Sequence, residues 1–129
     1  MASGGNHKET SMTLEEYCDF VVSKASARSL RDFESAVGTS GLGIAGEAGE
    51  IADLTKKVLF HGMEFNEEVR AKFIKELGDV MWYAAFLARV VLHVKLEDVI
   101  EANVEKLNLR YKAGFTTEEF MAKEDVKKE

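Results

Sequence analysis

The chain has 129 residues with 17 basic and 23 acidic side chains, which gives a formal net charge of −6. This is the length of one domain, and 46% hydrophobic with 31% charged residues is a globular rather than a disordered composition. The acidic balance argues against a nucleic-acid or membrane partner, because both attract a basic protein face. Proline is absent from the sequence, which favours an all-α fold because proline interrupts helices beyond their first turn.

The cysteine count and the apolar segments bear on the compartment. A single cysteine excludes an internal disulfide framework and indicates a reducing environment. Met1–Thr10 is polar and lacks the apolar segment of a signal peptide. The most apolar run, Val80–Val94, is shorter than a membrane span and is interrupted by Arg89 and His93. We therefore expect a cytoplasmic protein.

The composition along the chain predicts one domain between two polar ends. Residues 1–12 resemble a flexible leader and residues 123–129 a charged tail. The domain is predicted to span residues 13–122, in which we find neither an internal repeat nor a low-complexity segment.

Hydrophobic periodicity and capping residues predict four helices and a short fifth one. Thr13 with Glu16 and Thr116 with Glu119 have the spacing of capping boxes, and Asn66 can cap the third helix. No segment alternates convincingly with the period of two that is typical of strands. The first long helix is predicted over about 13–28, and the second begins between residues 39 and 42 and ends near residue 60. The third is predicted over 66–92 and the fourth over 96–111. Gly62 ends the second helix and Gly114 the fourth. The fourth is predicted to turn Val99, Ala102, Val104 and Leu107 inward.

Three glycines recur at every third position of the second predicted helix: Gly43, Gly46 and Gly49. Each costs about 1 kcal/mol relative to alanine inside a helix. Either the helix begins later, after a glycine-rich turn, or the glycines form a stripe that lets another helix approach closely. We favour close packing.

Two pairs of carboxylates lie three residues apart on predicted helices, Glu47 with Glu50 and Glu76 with Asp79. That spacing places each pair on one helix face, with Cβ atoms roughly 5–6 Å apart. Apolar residues flank both pairs, whereas acids on a solvated surface usually have polar neighbours. If the two helices pack together, four carboxylates converge and require a counter-charge. The alternative is two solvated acidic faces, because either pair alone is common in acidic helices.

Carboxylate oxygens as the only donors favour Mg²⁺, with Mn²⁺ as an alternative. A di-iron bundle requires Glu-x-x-His pairs, and this motif does not occur in the sequence. A zinc site is equally unsupported, because the chain has one cysteine and no cluster of histidines. Mg²⁺ held in this way would share its coordination shell with substrate phosphates.

Basic residues suited to phosphate lie near the first pair and on the fourth helix. Lys56 and Lys57 follow the first pair, while Asn103, Lys106 and Arg110 share one helix face. Arginine binds phosphate through two parallel hydrogen bonds, whereas lysine acts as a point charge. The alternative in both places is an ordinary polar helix face.

Three sequence blocks together resemble the MazG-like nucleoside triphosphate pyrophosphohydrolases, members of the all-α NTP pyrophosphatase superfamily. The blocks are GLGIAGEAGEIADLTKK, KELGDVMWYAAFLA and NVEKLNLRYKAGF, and they cover about Leu42 to Phe115. The family motif is Glu-x-x-Glu, a spacer, and Glu-x-x-Asp. In this chain 25 residues separate Glu50 from Glu76.

The resemblance implies an all-α fold with a four-helix core, in which helix pairs complete a bundle with a second subunit, and a short C-terminal helix. It implies Mg²⁺-dependent hydrolysis of (deoxy)nucleoside triphosphates to monophosphate and pyrophosphate, as house-cleaning of the nucleotide pool. The expected partners are the nucleotide substrate and further copies of the chain, in a homodimer or a tetramer.

The resemblance also implies roles for single residues. Glu47, Glu50, Glu76 and Asp79 match the metal ligands, and either Glu47 or Glu50 also orients or deprotonates the attacking water. Lys106 and Arg110 match phosphate-contacting positions, Asn103 matches a polar position beside them, and Tyr83 resembles an aromatic residue that lines the nucleotide pocket. The alternative for Tyr83 is simple core or interface packing. With Lys56, expected from its place after the first acid pair, these are the candidate substrate contacts.

Two departures from the family pattern leave the substrate open. The chain has Lys112-Ala113 after Arg110-Tyr111, where relatives often have a proline. Its first helix also lacks the aromatic-glutamine signature that many relatives have near the base of the nucleotide. A related enzyme therefore stays an alternative, such as a dCTPase-like, dUTPase-like or phosphoribosyl-ATP pyrophosphohydrolase. A non-catalytic helical interaction module is the alternative of a different class.

Overall fold

The computed structural model describes residues 11–111 together with Glu118 and Met121. Every regular element within these residues is helical, which confirms the all-α fold class. Most of the predicted leader, the capping box at Thr116 and Glu119, and the tail over 123–129 lie outside the described residues. The elements are α1 (Leu14–Lys24), α2 (Phe33–Phe60), α3 (Glu67–Phe86), a π-helical segment (Leu87–Val91) and α4 (Leu96–Arg110). The chain divides into two compact units, Met1–Leu96 and Glu97–Glu129.

Helix α1 begins with the predicted capping box. The Glu16 backbone N–H donates to Thr13 Oγ1 at 3.1 Å, and the Thr13 N–H donates to Glu16 Oε1 at 3.2 Å. The helix ends at Lys24, four residues before the predicted end. A serine turn replaces the last helical turn, because the Ser29 N–H donates to Ser26 Oγ at 3.1 Å.

Helix α2 begins at Phe33, so the predicted start between residues 39 and 42 is wrong. Asp32 is the N-cap, and its Oδ1 accepts a hydrogen bond from the Ser35 N–H at 2.7 Å. The glycines therefore lie inside a long helix, and no glycine-rich turn precedes it. Packing against α3 outweighs the low helix propensity of glycine here.

The connection between α2 and α3 forms as predicted and makes the two helices a hairpin. Gly62 has a φ of 70°, and the following Met63 N–H donates to the Lys57 carbonyl oxygen at 3.1 Å. Asn66 Oδ1 then accepts from the Val69 N–H at 3.0 Å and caps α3. The tertiary contacts of α2 are made mainly with α3.

The hydrophobic core of the first unit joins α1 to the end of α3. Phe86 and Val21 are the largest fully buried apolar side chains. Outside the core, Arg89 Nη1 donates to Asp19 Oδ1 at 2.8 Å and ties the π-helical segment to α1. The core residues are Cys18, Val21, Ala36, Ala85, Phe86, Ala88 and Leu96.

The end of the third predicted helix is π-helical rather than α-helical. The Leu92 N–H reaches the Leu87 carbonyl oxygen at 3.0 Å, five residues back. His93 then has a positive φ of 54°, which allows the Val94 N–H to donate to the Ala88 carbonyl oxygen at 2.9 Å.

On α4, the apolar side chains predicted to face inward are exposed. Val99, Val104 and Leu107 are 41%, 51% and 39% exposed, and Ala102 is exposed as well. The prediction of an inward face is therefore wrong for the described chain. Helical periodicity indicates an apolar stripe but does not supply the surface that covers it.

The part of the chain that the structure describes contains no single helix long and apolar enough to span a membrane. The length and composition of a membrane span are reached only by two helical segments combined, as a pair with a bend between them: Glu67–Val91 and Leu96–Arg110.

We expect Gly62→Ala to lower the free energy of unfolding by about 1–2 kcal/mol, because an L side chain is strained at positive φ. The matched control is Gly41→Ala in α2, where a Cβ would have no atom within 4 Å. It should leave stability unchanged or raise it by up to about 1 kcal/mol. Urea unfolding of both variants tests this, and equal stability of Gly62→Ala and the parent chain would contradict it.

Candidate metal centre

Three acids from α2 and α3 converge on one point. Glu47, Glu76 and Asp79 each offer a carboxylate oxygen, and these oxygens lie within 4.8 Å of one another. Glu47 and Glu76 are half-buried, whereas Asp79 is exposed. The i, i+3 spacing of Glu76 and Asp79 keeps both on the face of α3 that meets Glu47.

Glu50, the fourth predicted ligand, lies outside this group. Its side chain is exposed. Glu50 has the same i, i+3 spacing from Glu47 as Asp79 has from Glu76, yet its carboxylate is not among the converging oxygens. Its charge nevertheless acts on Glu47. Its role as a ligand stays a prediction.

The cluster raises the pKa of Glu47. Partial removal from water is the main cause, and the negative charges of Asp79, Glu76 and Glu50 act in the same direction. A hydrogen-bond interaction with the Glu76 side chain raises the pKa of Glu47 further. The three acids therefore form a cluster of like charges, and a bound cation would reduce the repulsion between them.

A cleft of about 270 Å³ opens beside the acids and is lined by Glu47, Asp79, Trp82 and Tyr83. The Trp82 ring lies edge-on to Tyr83, with centroids 5.1 Å apart. It also stacks on Phe86 at 5.7 Å with only 12° between the ring planes. Because Phe86 is fully buried, this stack anchors the aromatic wall of the cleft in the core.

The glycine stripe contacts another group at one position, Gly43. The Tyr83 ring packs where a Gly43 side chain would begin, whereas Gly46 and Gly49 have nothing within 4 Å of an added Cβ. Within the described chain, close packing is thus present at Gly43, and the group that approaches is a side chain rather than a helix backbone.

Tyr17 of α1 lies close enough to the cluster for the charge of Asp79 to affect its pKa. Partial burial is the main cause that raises the pKa of Tyr17, followed by the charges of Asp79 and Cys18. The sequence pattern does not single out Tyr17 as a residue of the site. No local signal identifies it, because its proximity to Asp79 depends on how α1 packs against α3.

The lysines that follow the first acid pair are both bound to Asp53. Lys56 Nζ lies 3.2 Å from Asp53 Oδ1, and Lys57 Nζ lies 2.8 Å from Asp53 Oδ2. Asp53, and secondarily the charge of Glu50, raises the pKa of Lys57. Both side chains are substantially exposed, so these pairs contribute little stability. The substrate contact of Lys56 stays a prediction.

The remaining predicted substrate residues belong to the second compact unit. Asn103 and Lys106 are exposed on α4, and Arg110 at its end is half-buried. Their i, i+3, i+7 spacing on a continuous helix gives them one common face, as expected. Their contact with phosphate stays a prediction.

Comparisons with known proteins connect this geometry to a family. Residues 38–115 match the family model described as the MazG nucleotide pyrophosphohydrolase domain, and this range includes all four acids. The Gene 37 protein of Mycobacterium phage L5 is 45% identical over 75 residues. That alignment covers 57% of this chain and 64% of the phage protein, so the chain spans less than two thirds of that relative's length. No solved structure matched the chain.

We expect Glu47→Gln to raise the melting temperature of the metal-free protein at neutral pH, because it removes one of the repelling charges. An acid with a raised folded-state pKa makes the folded state bind protons more readily. The unfolding free energy it contributes therefore falls as pH rises from its ordinary pKa of 4.5 through the raised value. Melting curves in EDTA from about pH 4 to pH 8 measure this difference.

The control for this prediction is Glu64→Gln, an exposed acid in the α2–α3 connection. Mg²⁺ should raise the melting temperature of the parent chain and of the control more than that of Glu47→Gln. An identical pH dependence in the parent chain and Glu47→Gln would contradict the electrostatic interpretation.

Proposed function

The chain belongs to the MazG nucleotide pyrophosphohydrolase family, and from that premise we propose that it hydrolyses (deoxy)nucleoside triphosphates to monophosphate and pyrophosphate. The observation that carries the proposal is the convergence of Glu47, Glu76 and Asp79 within 4.8 Å beside an aromatic-walled cleft. A purely structural role would not favour three like charges at this point, because carboxylates this close repel one another.

The donor set fits Mg²⁺, or Mn²⁺ in its place. Carboxylate oxygens are the ligands these cations prefer. Burial, followed by the charges of Asp79, Glu76 and Glu50, raises the pKa of Glu47. Glu47, Glu76 and Asp79 would hold the cation, with Glu50 as the fourth ligand. The cation would offset the charge of the triphosphate and polarise the phosphoryl group under attack.

The carboxylates of this chain also direct the proton in the reaction. A water molecule attacks phosphorus, the bond between the α- and β-phosphates breaks, and pyrophosphate leaves. The proton of the attacking water passes to Glu47 or Glu50; Glu47 belongs to the three-acid group, and the side chain of Glu50 is exposed.

The substrate contacts are proposed from the residue chemistry. Arg110 binds phosphate oxygens in pairs, while Lys106 and Lys56 supply point charges and Asn103 a polar contact. Tyr83 contacts the nucleoside, which is supported by its place in the lining of the cleft beside Glu47 and Asp79. The cellular role is house-cleaning of the nucleotide pool in the cytoplasm.

We further propose that the chain works as a homodimer or as a dimer of dimers. Ile74, Leu77 and Met81 lie at i, i+3 and i+7 on α3 and are 54%, 54% and 44% exposed. An exposed apolar row of this kind on a helix is typical of an interface. A second copy of the hairpin would complete the bundle.

A panel of canonical and modified nucleoside triphosphates, scored as pyrophosphate release with Mg²⁺, tests the activity. We expect release from at least one nucleotide, and Asp79→Asn should lower it by about 100-fold or more, because even outer-shell partners of metal sites cost up to that factor. The control is Glu68→Gln, an acid of α3 whose side chain is 81% exposed. Activity of Asp79→Asn equal to that of the parent chain, or no release from any nucleotide, would favour the non-catalytic helical module.

Leu77→Glu should convert the oligomer to a monomer, because a charge in the proposed apolar interface would be buried without a partner. The control is Lys75→Glu, which lies about 160° from Leu77 around α3 and is exposed. Sedimentation velocity distinguishes the species. A monomeric parent chain, or an unchanged sedimentation coefficient for Leu77→Glu, would contradict the proposed interface.

A further inference from the structure

We infer that Gly43 is a positioning residue: its missing side chain seats the Tyr83 ring in the wall of the cleft and thereby sets how tightly the nucleotide binds. The inference rests on the proposed function for its substrate. The contact itself is a property of the fold that can be measured without substrate.

The contact between Gly43 and Tyr83 is closer than any side chain at position 43 would allow. An ideal Cβ built on Gly43 would overlap the Cγ, Cδ1 and Cε1 atoms of the Tyr83 ring. Such overlaps do not occur in folded proteins, so either the ring or the helix must move when alanine replaces Gly43. Only glycine permits the observed position of the ring.

The seat is specific to Gly43 and is not a general property of the glycine stripe. The other glycines for which the structure defines the surroundings have no atom within 4 Å of an added Cβ; they are Gly38, Gly41, Gly46, Gly49, Gly62 and Gly78. Gly38, Gly41, Gly46 and Gly49 share α2 with Gly43. Helix propensity alone would favour alanine at all these α2 positions.

The seat lies one helical turn from the acids on both helices. Gly43 precedes Glu47 by four residues on α2, whereas Tyr83 follows Asp79 by four residues on α3. The two helices run in opposite directions, so four residues correspond to about 6 Å along the hairpin in both cases. The contact of Gly43 with Tyr83 and the approach of Glu47 to Asp79 therefore lie one helical turn apart along the same α2–α3 interface.

Displacement of the ring changes the cleft more than it changes the acids. Tyr83 and Trp82 line the cleft together with Glu47 and Asp79, and Trp82 is anchored by its stack on buried Phe86. Tyr83 is half-buried and therefore has room to yield toward the cleft. A Cβ at position 43 would push the ring into the space of the substrate and leave the carboxylates in place.

The experiment compares Gly43→Ala with Gly41→Ala in the parent chain and in a Tyr83→Ala background. We expect Gly43→Ala to raise KM by about 10-fold to 100-fold, with little change in kcat or in Mg²⁺ affinity, because a loss of binding shared by the ground state and the transition state raises KM alone. Gly41→Ala should change neither constant. In the Tyr83→Ala background Gly43→Ala should have no further effect on KM, because the ring it displaces is absent.

Near-ultraviolet circular dichroism is the readout that needs no substrate, because the edge-on contact of Trp82 and Tyr83 is sensitive to ring position. We expect the spectrum to change in Gly43→Ala and not in Gly41→Ala. An unchanged spectrum, an equal rise in KM with and without the Tyr83 ring, or a fall in kcat and Mg²⁺ affinity at constant KM would overturn the inference.

If the parent chain releases no pyrophosphate, the proposed function fails, while the spectra still decide whether Gly43 seats the ring. If Gly43→Ala unfolds, recovery of folding by Tyr83→Ala supports the seat, and its absence contradicts it.

Discussion

The packing of α2 against α3 holds together three carboxylates that repel one another, and the rest of the site depends on this packing. Along α2 Glu47 lies between the buried residues Ala36 and Leu54, and along α3 Glu76 and Asp79 lie between buried Val69 and buried Ala85. Buried apolar residues therefore lie on either side of the acids along both helices. Their burial stabilises a geometry that the acids alone would not adopt, in keeping with unfavourable local interactions at functional sites.

The aromatic residues beside this layer connect the site to the core. Phe86 is fully buried, Trp82 stacks on it, and Tyr83 extends from Trp82 to the wall of the cleft. Helix α1 joins the same arrangement from another side, with Tyr17 near Asp79 and with the ion pair between Asp19 and Arg89. The position of the cleft wall is thus determined by core packing. Substitutions in the core are therefore expected to change the shape of the cleft.

The sequence predicted the features that depend on a few neighbouring residues, such as the caps at Thr13 and Asn66 and the stop at Gly62. The start of α2 was missed because glycine propensity suggested a turn, while tertiary packing and the Asp32 cap extend the helix. The spacing of the acids indicated one face. It could not show that the contact with α3 brings Glu47 to Glu76 and Asp79 and leaves Glu50 outside the group. Proximities between distant parts of the chain, such as Tyr17 near Asp79 and the Tyr83 ring on Gly43, have no counterpart in local pattern.

The acids occupy the middle of their helices, and this location has a consequence for the source of positive charge. Glu47 lies well inside Phe33–Phe60, and Glu76 and Asp79 lie well inside Glu67–Phe86. The positive end of a helix macrodipole acts only within the first turn, where free backbone N–H groups point outward. Neither helix can therefore offset the charge of the cluster with its own backbone, as helix N-termini do in many phosphate-binding sites. Compensation by a mobile cation, as proposed for Mg²⁺, would make the electrostatic state of the site depend on the ionic composition of its surroundings.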